Sequence, residues 1–478
     1  MSVSEPKRVP TGVPGLDPVL QGGLLPCRAY LVCGGPGTGK TTLGLQFLAA
    51  AGEPSLLVSL AEAVQDIRDD AARIGLDLSA VSVLDLSPGE ADAARASYTL
   101  VEPWEAEAPD LRSRIDALCP EGPPARVFVD ALSQLRHLVP DAFQFRKQVM
   151  ALLQYLTRAG ATVLFTAERG SEAEQDLQYL GDGIVRLEQA EAGRTLSVHK
   201  CRGTGFGEGA HAVRLTQHGM HVYPRLLPED HGQPFSTEAI PFGVTALDAL
   251  TGGGIERGTV TIISGPTGVG KTSLGTQMMR EAARRGERSV IFTFEEKLAT
   301  LRHRCEQIGI PLADMIGEGT LAVEEVEPLR YMPDEFAWRV RREVEEQGAR
   351  VVMLDSLSGY RQSLRGEALT PHIHALCRYL ANMGVTVLLV NEVSTIAGAD
   401  IRVSDHGISY LADAVLMLRY IELRGELRKT IGVLKKRTGD FEKTLREFEI
   451  SAEGLRVGEP LTGLRGILRG LPEMLGEG

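Results

Sequence analysis

Short apolar runs rich in β-branched residues alternate along the chain with stretches that have the amphipathic spacing of helices. This alternation predicts a parallel sheet that is buried on both faces by crossover helices. The predicted strands of the first half are 29–34, 55–60, 81–86, 126–132 and 161–167, followed by the more antiparallel-looking runs 183–189, 195–202 and 212–224. Those of the second half are 259–265, 289–294, 351–356, 386–392 and 413–423. The fold class is therefore α/β.

The two halves are copies of one domain. The sequence TGVPGLDPVLQGGL near residue 12 returns as FGVTALDALTGGGI near residue 243, and Asp17 and Asp248 lie 231 residues apart, as do Lys40 and Lys271. Such ordered matches indicate an internal repeat. We predict a first domain at 1–226, an exposed proline- and glycine-containing linker at 227–235, a second domain at 236–458 and a short tail at 459–478.

Composition narrows the functional classes. No stretch approaches a signal-peptide core or the length of a membrane span, so we expect a soluble, cytoplasmic protein. The six cysteines form no CxxC pair, which predicts reduced thiols rather than a zinc site or a disulfide framework. The net charge of -12 disfavours nucleic acid as a general partner.

Two glycine-rich loops carry the strongest chemical signal. GGPGTGKT at 34–41 and GPTGVGKT at 265–272 each follow an apolar strand and open a helical pattern, which is the full spacing of a P-loop. Backbone N–H groups and the helix dipole would hold phosphates there, and the lysine would reach the β and γ phosphates. The predicted nucleotide-binding residues are Gly34, Gly35, Gly37, Thr38, Gly39, Lys40, Thr41 and Thr42 in the first repeat, and Gly265, Thr267, Gly268, Val269, Gly270, Lys271, Thr272 and Ser273 in the second.

An aspartate follows the apolar strand RVFVD at Asp130 and the matching strand VVMLD at Asp355. An ionised carboxylate at such a position is costly to bury unless it lies close to a metal or a partner. Together with the hydroxyls of Thr41 and Thr272, these aspartates are predicted to hold Mg²⁺ at two nucleotide sites. The alternative is that each aspartate only caps the next turn.

Hydrolysis also needs a group that orients or deprotonates water, and carboxylates lie just beyond the second strand of each repeat. The second repeat has Glu295 and Glu296 in FTFEEK, whereas VSLAEA in the first repeat puts Ala61 opposite Glu295 and leaves only Glu62. If the first glutamate acts, the first repeat binds ATP but hydrolyses it poorly. If Glu62 is sufficient as the base, both repeats hydrolyse ATP. The simpler alternative is that these are first-turn helix carboxylates favoured by the dipole.

A Lys-x-Arg pair recurs late in each repeat, at Lys200 and Arg202 and at Lys435 and Arg437. Residues i and i+2 share one face of a strand, so both cations could reach the phosphate of a nucleotide bound by a neighbouring subunit. A solvated basic edge strand is the alternative reading.

The order of these motifs, duplicated over residues 8–458, resembles the KaiC family of RecA-like ATPases. The most specific stretch is 405–437. The resemblance implies a double-ring homohexamer with ATP at subunit interfaces, slow ATPase activity, signalling partners and serine/threonine autophosphorylation in the second ring. The family's serine site falls on Ser409, its adjacent threonine is replaced by Tyr410, and Ser404 matches another nearby hydroxyl. Glu295 would be the base for Ser409, which could instead be a structural hydroxyl.

Two other classes remain open on the sequence. A DNA-dependent recombinase or helicase-like motor would share both P-loops but would need basic, often aromatic loops for single strands. The candidate loops after Asp130, Ala167 and Glu392 are mixed or acidic, and the chain has two tryptophans. The third class is a non-catalytic scaffold in which ATP only stabilises the rings. Ala61 is consistent with such a role for the first ring.

Overall fold

The predicted apolar runs form the centres of two sheets that share one strand order. The computed structural model describes residues 7–50, 52–87, 113–120, 122–138, 141–364, 369–393, 410–423, 425–467 and 473–474. The chain divides into two compact units, one ending at Arg225 and the other beginning at Leu226. Leu226, the last residue of the predicted first domain, packs into a core cluster of the second unit.

The sheet of the first unit has the strand order β3-β2-β4-β5-β1-β6-β7-β8-β9. Pairing is parallel from β3 to β6 and antiparallel from β6 to β9. The strands are β1 (Ala29–Gly34), β2 (Ser55–Ser59), β3 (Val81–Asp85), β4 (Arg126–Asp130), β5 (Thr162–Glu168), β6 (Gly183–Ala190), β7 (Gly193–Cys201), β8 (His211–Thr216) and β9 (Gly219–Tyr223). The run predicted at 212–224 is thus a hairpin, turned just before Gly219, whose φ of 93° suits glycine.

Helices pack on the parallel strands of the first unit, with bounds Leu16–Val19, Lys40–Ala49, Val64–Arg73, Ala142–Arg158 and Glu172–Leu180, and a 3₁₀ helix at Leu132–Leu138. The helix Lys40–Ala49 lies close to the sheet because Gly44 faces the ring of Phe128. A Cβ at Gly44 would lie 2.1 Å from Phe128 Cζ. Strands β1, β2 and β4 are buried throughout, as expected for a sheet covered on both faces.

The second unit repeats this architecture with the order β14-β13-β15-β16-β12-β17-β18-β19-β20. Its main strands are β12 (Val260–Gly265), β13 (Ser289–Thr293), β14 (Leu321–Glu325), β15 (Val351–Asp355), β16 (Thr386–Glu392), β17 (Ala414–Leu423), β18 (Glu426–Lys436), β19 (Arg446–Ser451) and β20 (Gly454–Pro460). Two small sheets pair β10 (Ala239–Ile240) with β11 (Ile255–Glu256) and β21 (Leu464–Arg465) with β22 (Glu473–Met474).

The helices of the second unit are Thr245–Leu250, Lys271–Arg284, Leu298–Gln307, Leu312–Gly317, Pro333–Glu345, Leu357–Ser363 and Leu369–Asn382, with a 3₁₀ helix at Pro228–Asp230. Gly275 faces Met353 as Gly44 faces Phe128 in the first unit. Each unit is therefore a mostly parallel sheet with flanking helices and a trailing antiparallel segment, as the sequence predicted for tandem RecA-like domains.

Candidate functional site

The first P-loop joins β1 to the helix Lys40–Ala49. Gly34 ends the strand, the residues from Gly35 to Gly39 form the loop, and Lys40, Thr41 and Thr42 begin the helix. Gly39 has a φ of 102°, and a Cβ there would lie 2.7 Å from Met220 Cε, so only glycine suits this position. The Lys40 ammonium donates to the carbonyls of Gly34 and Gly35 at 2.9 Å, and Thr38 Oγ1 donates to Gly35 O at 2.8 Å.

The second P-loop has the same form between β12 and the helix Lys271–Arg284. Gly270 has a φ of 114°, and a Cβ there would lie 2.3 Å from Ile450 Cδ1. Lys271 Nζ donates to Pro266 O at 2.8 Å, and burial lowers the pKa of Lys271 while the charge of Glu392 opposes that shift. Glu392 also accepts a hydrogen bond from Thr267.

The remaining predicted loop residues of the second repeat lie where the spacing puts them. Gly265 ends β12, Gly268 and buried Val269 lie in the loop, and Thr272 and Ser273 lie in the first helical turn.

Each P-loop threonine is hydrogen-bonded to the strand-end aspartate of its own repeat. Thr41 Oγ1 donates to Asp130 Oδ2 at 2.6 Å, and Thr272 Oγ1 donates to Asp355 Oδ2 at 2.6 Å. Both aspartates precede a cis peptide bond. Burial raises the pKa of Asp355, although the Thr272 hydrogen bond opposes this shift. Residues distant in sequence thus meet at the same point in both repeats, and their oxygen atoms are the donors that Mg²⁺ prefers.

A cavity of about 560 Å³ opens beside the first P-loop. It is lined by the loop and its helix, by Ala61 and Glu62 after β2, by Asp70 and Arg73 on the helix Val64–Arg73, and by the ends of β4 and β5. These groups meet because the carboxyl ends of parallel strands lie at one edge of the sheet. The register confirms that edge, since Gly34 of β1 pairs with Glu168 of β5.

Both glutamates of the second repeat have side-chain partners. Ser356 Oγ donates to Glu295 Oε1 at 2.9 Å, and Arg304 Nη2 donates to Glu296 Oε2 at 2.8 Å. Burial raises the pKa of Glu296, and the Arg304 guanidinium opposes that shift. The two carboxylates are therefore held by different neighbours.

The acidic segment, residues 61–62 in the first repeat and 295–296 in the second, is held by the same backbone contacts in both repeats. Leu60 N donates to Asp130 O and Phe294 N donates to Asp355 O, at 2.7 and 2.9 Å. The carbonyl of Glu62 accepts from Ser59 Oγ as that of Glu296 accepts from Thr293 Oγ1. Glu62 therefore matches Glu296, and Ala61 stands at the position of Glu295.

Sequence reasoning missed the partners of these acids. The residue after the strand-end aspartate is Ser356 in the second repeat and Ala131 in the first. Position seven of the matched ten-residue helices is Arg304 in one repeat and Asp70 in the other. Aligning the two repeats beyond their motifs would have exposed both exchanges.

The Lys-x-Arg pairs lie at the sheet edge opposite the P-loop of their own unit, because Gly183 at the start of β6 pairs with Cys201 and Ala414 pairs with Lys436. In each pair the arginine lies just past the strand end rather than inside the strand.

Both lysines bind carbonyls of their own chain. Lys200 Nζ donates to Gly181 O and Lys435 Nζ donates to Ala412 O, each at 2.7 Å. Arg202 lies 3.6 Å from Asp182. The half-exposed Arg437 pairs with Asp413 at 3.3 Å and donates to Tyr410 O at 3.1 Å.

Of the hydroxyl residues considered for phosphorylation, Ser404 and Ser409 lie outside the described residues. Tyr410 is 54% exposed, and its ring centroid lies 5.9 Å from that of His374. Among the residues that the structure describes, no helix combines the length and the hydropathy of a membrane span.

Comparison with known proteins agrees with this geometry. A family model described as the KaiC ATPase matches residues 9–226 and again 240–462. The circadian clock oscillator protein KaiC of Acaryochloris marina is 27% identical over 98% of this chain and 92% of its own length. The proteins of that name from Prochlorococcus marinus and Synechococcus elongatus are each 28% identical, over 98% and 97% of this chain and 96% and 91% of their own. The chain belongs to the KaiC family of ATPases, with one copy of the ATPase domain in each half.

Proposed function

We propose that this protein binds and hydrolyses ATP in both repeats, and that Mg²⁺ is held by Thr41 and Asp130 in the first and by Thr272 and Asp355 in the second. The supporting observation is the threonine–aspartate hydrogen bond of 2.6 Å beside each P-loop lysine. A hydroxyl paired with a buried carboxylate fits a hard cation better than a structural cap. When bound, Mg²⁺ neutralises charge on the phosphate oxygens.

The protein's own groups would do the rest. The loop backbone and Lys40 or Lys271 would hold the phosphates, in exchange for the carbonyls that the lysines now contact. In the second repeat Glu295 would take the proton of the attacking hydroxyl, because its hydrogen bond to Ser356 holds the carboxylate beside Asp355.

We further propose a double-ring homohexamer in which each nucleotide lies between subunits. Lys200, Arg202, Lys435 and Arg437 lie at the edge of their sheet opposite their own P-loop, which suits cations that act on a neighbour's nucleotide. Their contacts within the chain would then position them. The relatives are named as circadian clock oscillator proteins, and a signalling role is the corresponding proposal for this chain.

The second ring would phosphorylate Ser409 with ATP from the neighbouring subunit, and Tyr410 and Ser404 are secondary acceptors. The described start of this region, Tyr410 and the strand β17 after it, lies at the edge opposite the P-loop of the same unit. An acceptor at that edge calls for a nucleotide from another subunit.

The test follows label from γ-labelled ATP on protein and as free phosphate, with Mg²⁺, for wild type, Ser409→Ala, Tyr410→Phe, Ser404→Ala and Glu295→Gln. Autokinase activity predicts label that is lost in Ser409→Ala and lowered about 10²- to 10⁴-fold in Glu295→Gln. Phosphate release without label on the wild-type protein would reject the autokinase and leave an ATPase.

A mixing experiment tests the transfer between subunits. Lys271→Ala protomers, which lack second-site binding, are assembled with Ser409→Ala protomers, which lack the acceptor. Label on the Lys271→Ala chains is expected only if a neighbour supplies the ATP. Absence of label in the mixture, with label on the wild type, would mean transfer within one subunit.

A further inference from the structure

The acidic segment of the second repeat forms two side-chain pairs, and the first repeat differs from it at three of their four positions. Where the second repeat joins Glu295 to Ser356, the first has Ala61 and Ala131. Where the second repeat joins Glu296 to Arg304, the first keeps the glutamate, Glu62, but has Asp70 in place of the arginine. Ala61, Ala131, Glu62 and Asp70 all line the cavity beside the first P-loop.

Arg304 and Asp70 occupy the same place in the fold. Each is the seventh residue of a ten-residue helix that begins after an extended residue, Ala63 or Lys297. The residue that follows each is buried, Ala71 in the first repeat and Cys305 in the second. Asp70 and Arg304 therefore lie at equivalent positions relative to the acidic segment of their repeats.

The two matched glutamates have different charged neighbours. Arg304 holds the Glu296 carboxylate at 2.8 Å. Glu62 shares its cavity with the anions Asp130 and Asp70. Burial raises the pKa of the Glu62 carboxyl, and the charges of Asp130, Asp70 and Asp66 add to that shift. Asp70 forms its own ion pair with Arg73 at 2.7 Å, on a highly exposed part of the helix.

We propose that Arg304 is a positioning residue that keeps Glu296 out of the reaction, and that its charge reversal at Asp70 frees Glu62 to act as the base in the first repeat. The loss of the first acid at Ala61 is thereby compensated. This inference rests on the proposed ATP hydrolysis. The attacking water forms a bond to the γ-phosphorus, the bond from that phosphorus to the bridging oxygen of ADP breaks, and the water proton passes to the Glu62 carboxylate.

The first arm of the test isolates the first repeat in the full chain by Lys271→Ala. Glu62→Gln is expected to lower kcat for phosphate release about 10²-fold or more. Asp70→Arg, which recreates the Arg304 contact, is expected to lower kcat about tenfold with the KM for ATP unchanged, as for loss of a general base. Asp69→Arg, the same charge change on the neighbouring exposed residue, is the matched control and should retain the parent kcat.

The second arm isolates the second repeat by Lys40→Ala. Glu295→Ala should remove phosphate release, and adding Arg304→Asp to it should restore at least about tenfold by releasing Glu296. Rescue by a second substitution is a result that a merely structural role for Arg304 would not produce. Light scattering on each variant checks that the assembly is intact.

The outcomes separate the two proposals. No phosphate release from the wild-type chain would reject the proposed hydrolysis itself. Release that survives Glu62→Gln in the isolated first repeat, or equal effects of Asp70→Arg and Asp69→Arg, would overturn the present inference and leave the hydrolysis in place. Failure of Arg304→Asp to rescue Glu295→Ala would overturn the role assigned to Arg304.

Discussion

The P-loop side of the candidate site is the same in the two repeats, whereas the acidic segment beyond the second strand has different partners. Both repeats have a positive-φ glycine before the lysine and a threonine–aspartate hydrogen bond of 2.6 Å. The acids beyond the second strand keep their backbone frame but exchange their partners. The two repeats therefore share the groups proposed to bind ATP and differ in the groups proposed to act in its hydrolysis.

The pairwise nature of the exchange has a physical reason. Ser356 is buried and its hydroxyl donates to the exposed Glu295. Loss of Glu295 alone would leave this buried donor without its acceptor, at a cost of about 1–3 kcal/mol, whereas replacing both residues by alanine, as at Ala61 and Ala131, avoids that cost.

The largest effect is expected at the P-loop glycine, where a substitution should remove nucleotide binding and not only lower the rate of hydrolysis. Gly270→Val adds a Cβ that would clash with Ile450. It also puts a β-branched residue at a φ of 114°. Strain and overpacking should destabilise the second unit by about 2–5 kcal/mol and abolish nucleotide binding there. Binding of a fluorescent ATP analogue to the Lys40→Ala chain measures this. Gly317→Ala, in open space, is the control, and retained binding in Gly270→Val would contradict the geometry.

The next prediction concerns Arg126, a buried cation at a position where the second repeat has an apolar residue. Arg126 donates to Pro10 O and Phe47 O at 2.7 and 2.9 Å, and Val351 stands at the matching position. Arg126→Met should cost the first unit about 2–4 kcal/mol, because the buried carbonyls lose a charged donor. Urea unfolding followed separately in each unit measures it. A loss below that of Val351→Ala in the second unit would show that these bonds contribute little.

A smaller effect is expected from making the first site resemble the second. Ala61→Glu with Ala131→Ser restores the acid–hydroxyl pair and should raise kcat of the first repeat about tenfold, measured in the Lys271→Ala background. Ala61→Glu alone should give less, because its carboxylate would face Asp130 and Glu62 without a hydroxyl donor. Equal rates for the single and double variants would mean that the serine has no part in positioning the acid.

The smallest effect distinguishes the units by pH. Buried His211 accepts from Arg225 N at 2.9 Å and contacts Gly207 O at 3.2 Å, and burial lowers its pKa. The matching residue, Arg446, stays charged throughout this range. Because the unfolded chain binds the proton more readily, the first unit should lose stability as pH falls below about 6.5. Urea midpoints between pH 7.5 and 5 test this, and an unchanged slope in His211→Gln would assign it to other groups.

Much of the fold was predictable because it depends on local patterns. The apolar runs matched the central strands to within one or two residues, and the P-loop spacing located both loops. The run at 212–224 was wrong as one strand, since a turn before Gly219 divides it. The intramolecular contacts of Lys200 and Lys435 also escaped prediction, because a strand pattern indicates which side chains share a face and not what they contact.

The sequence by itself determined the duplication, the sheet and the two glycine-rich loops with P-loop spacing, because these follow from hydrophobic periodicity and from glycine conformations within a few residues. Only the tertiary structure decided which carboxylate has which partner. Glu295 and Ser356 are 61 residues apart and meet because their strands end at one edge of the sheet. The chemistry of a carboxylate depends on its neighbours in space, and it is there that the two repeats differ.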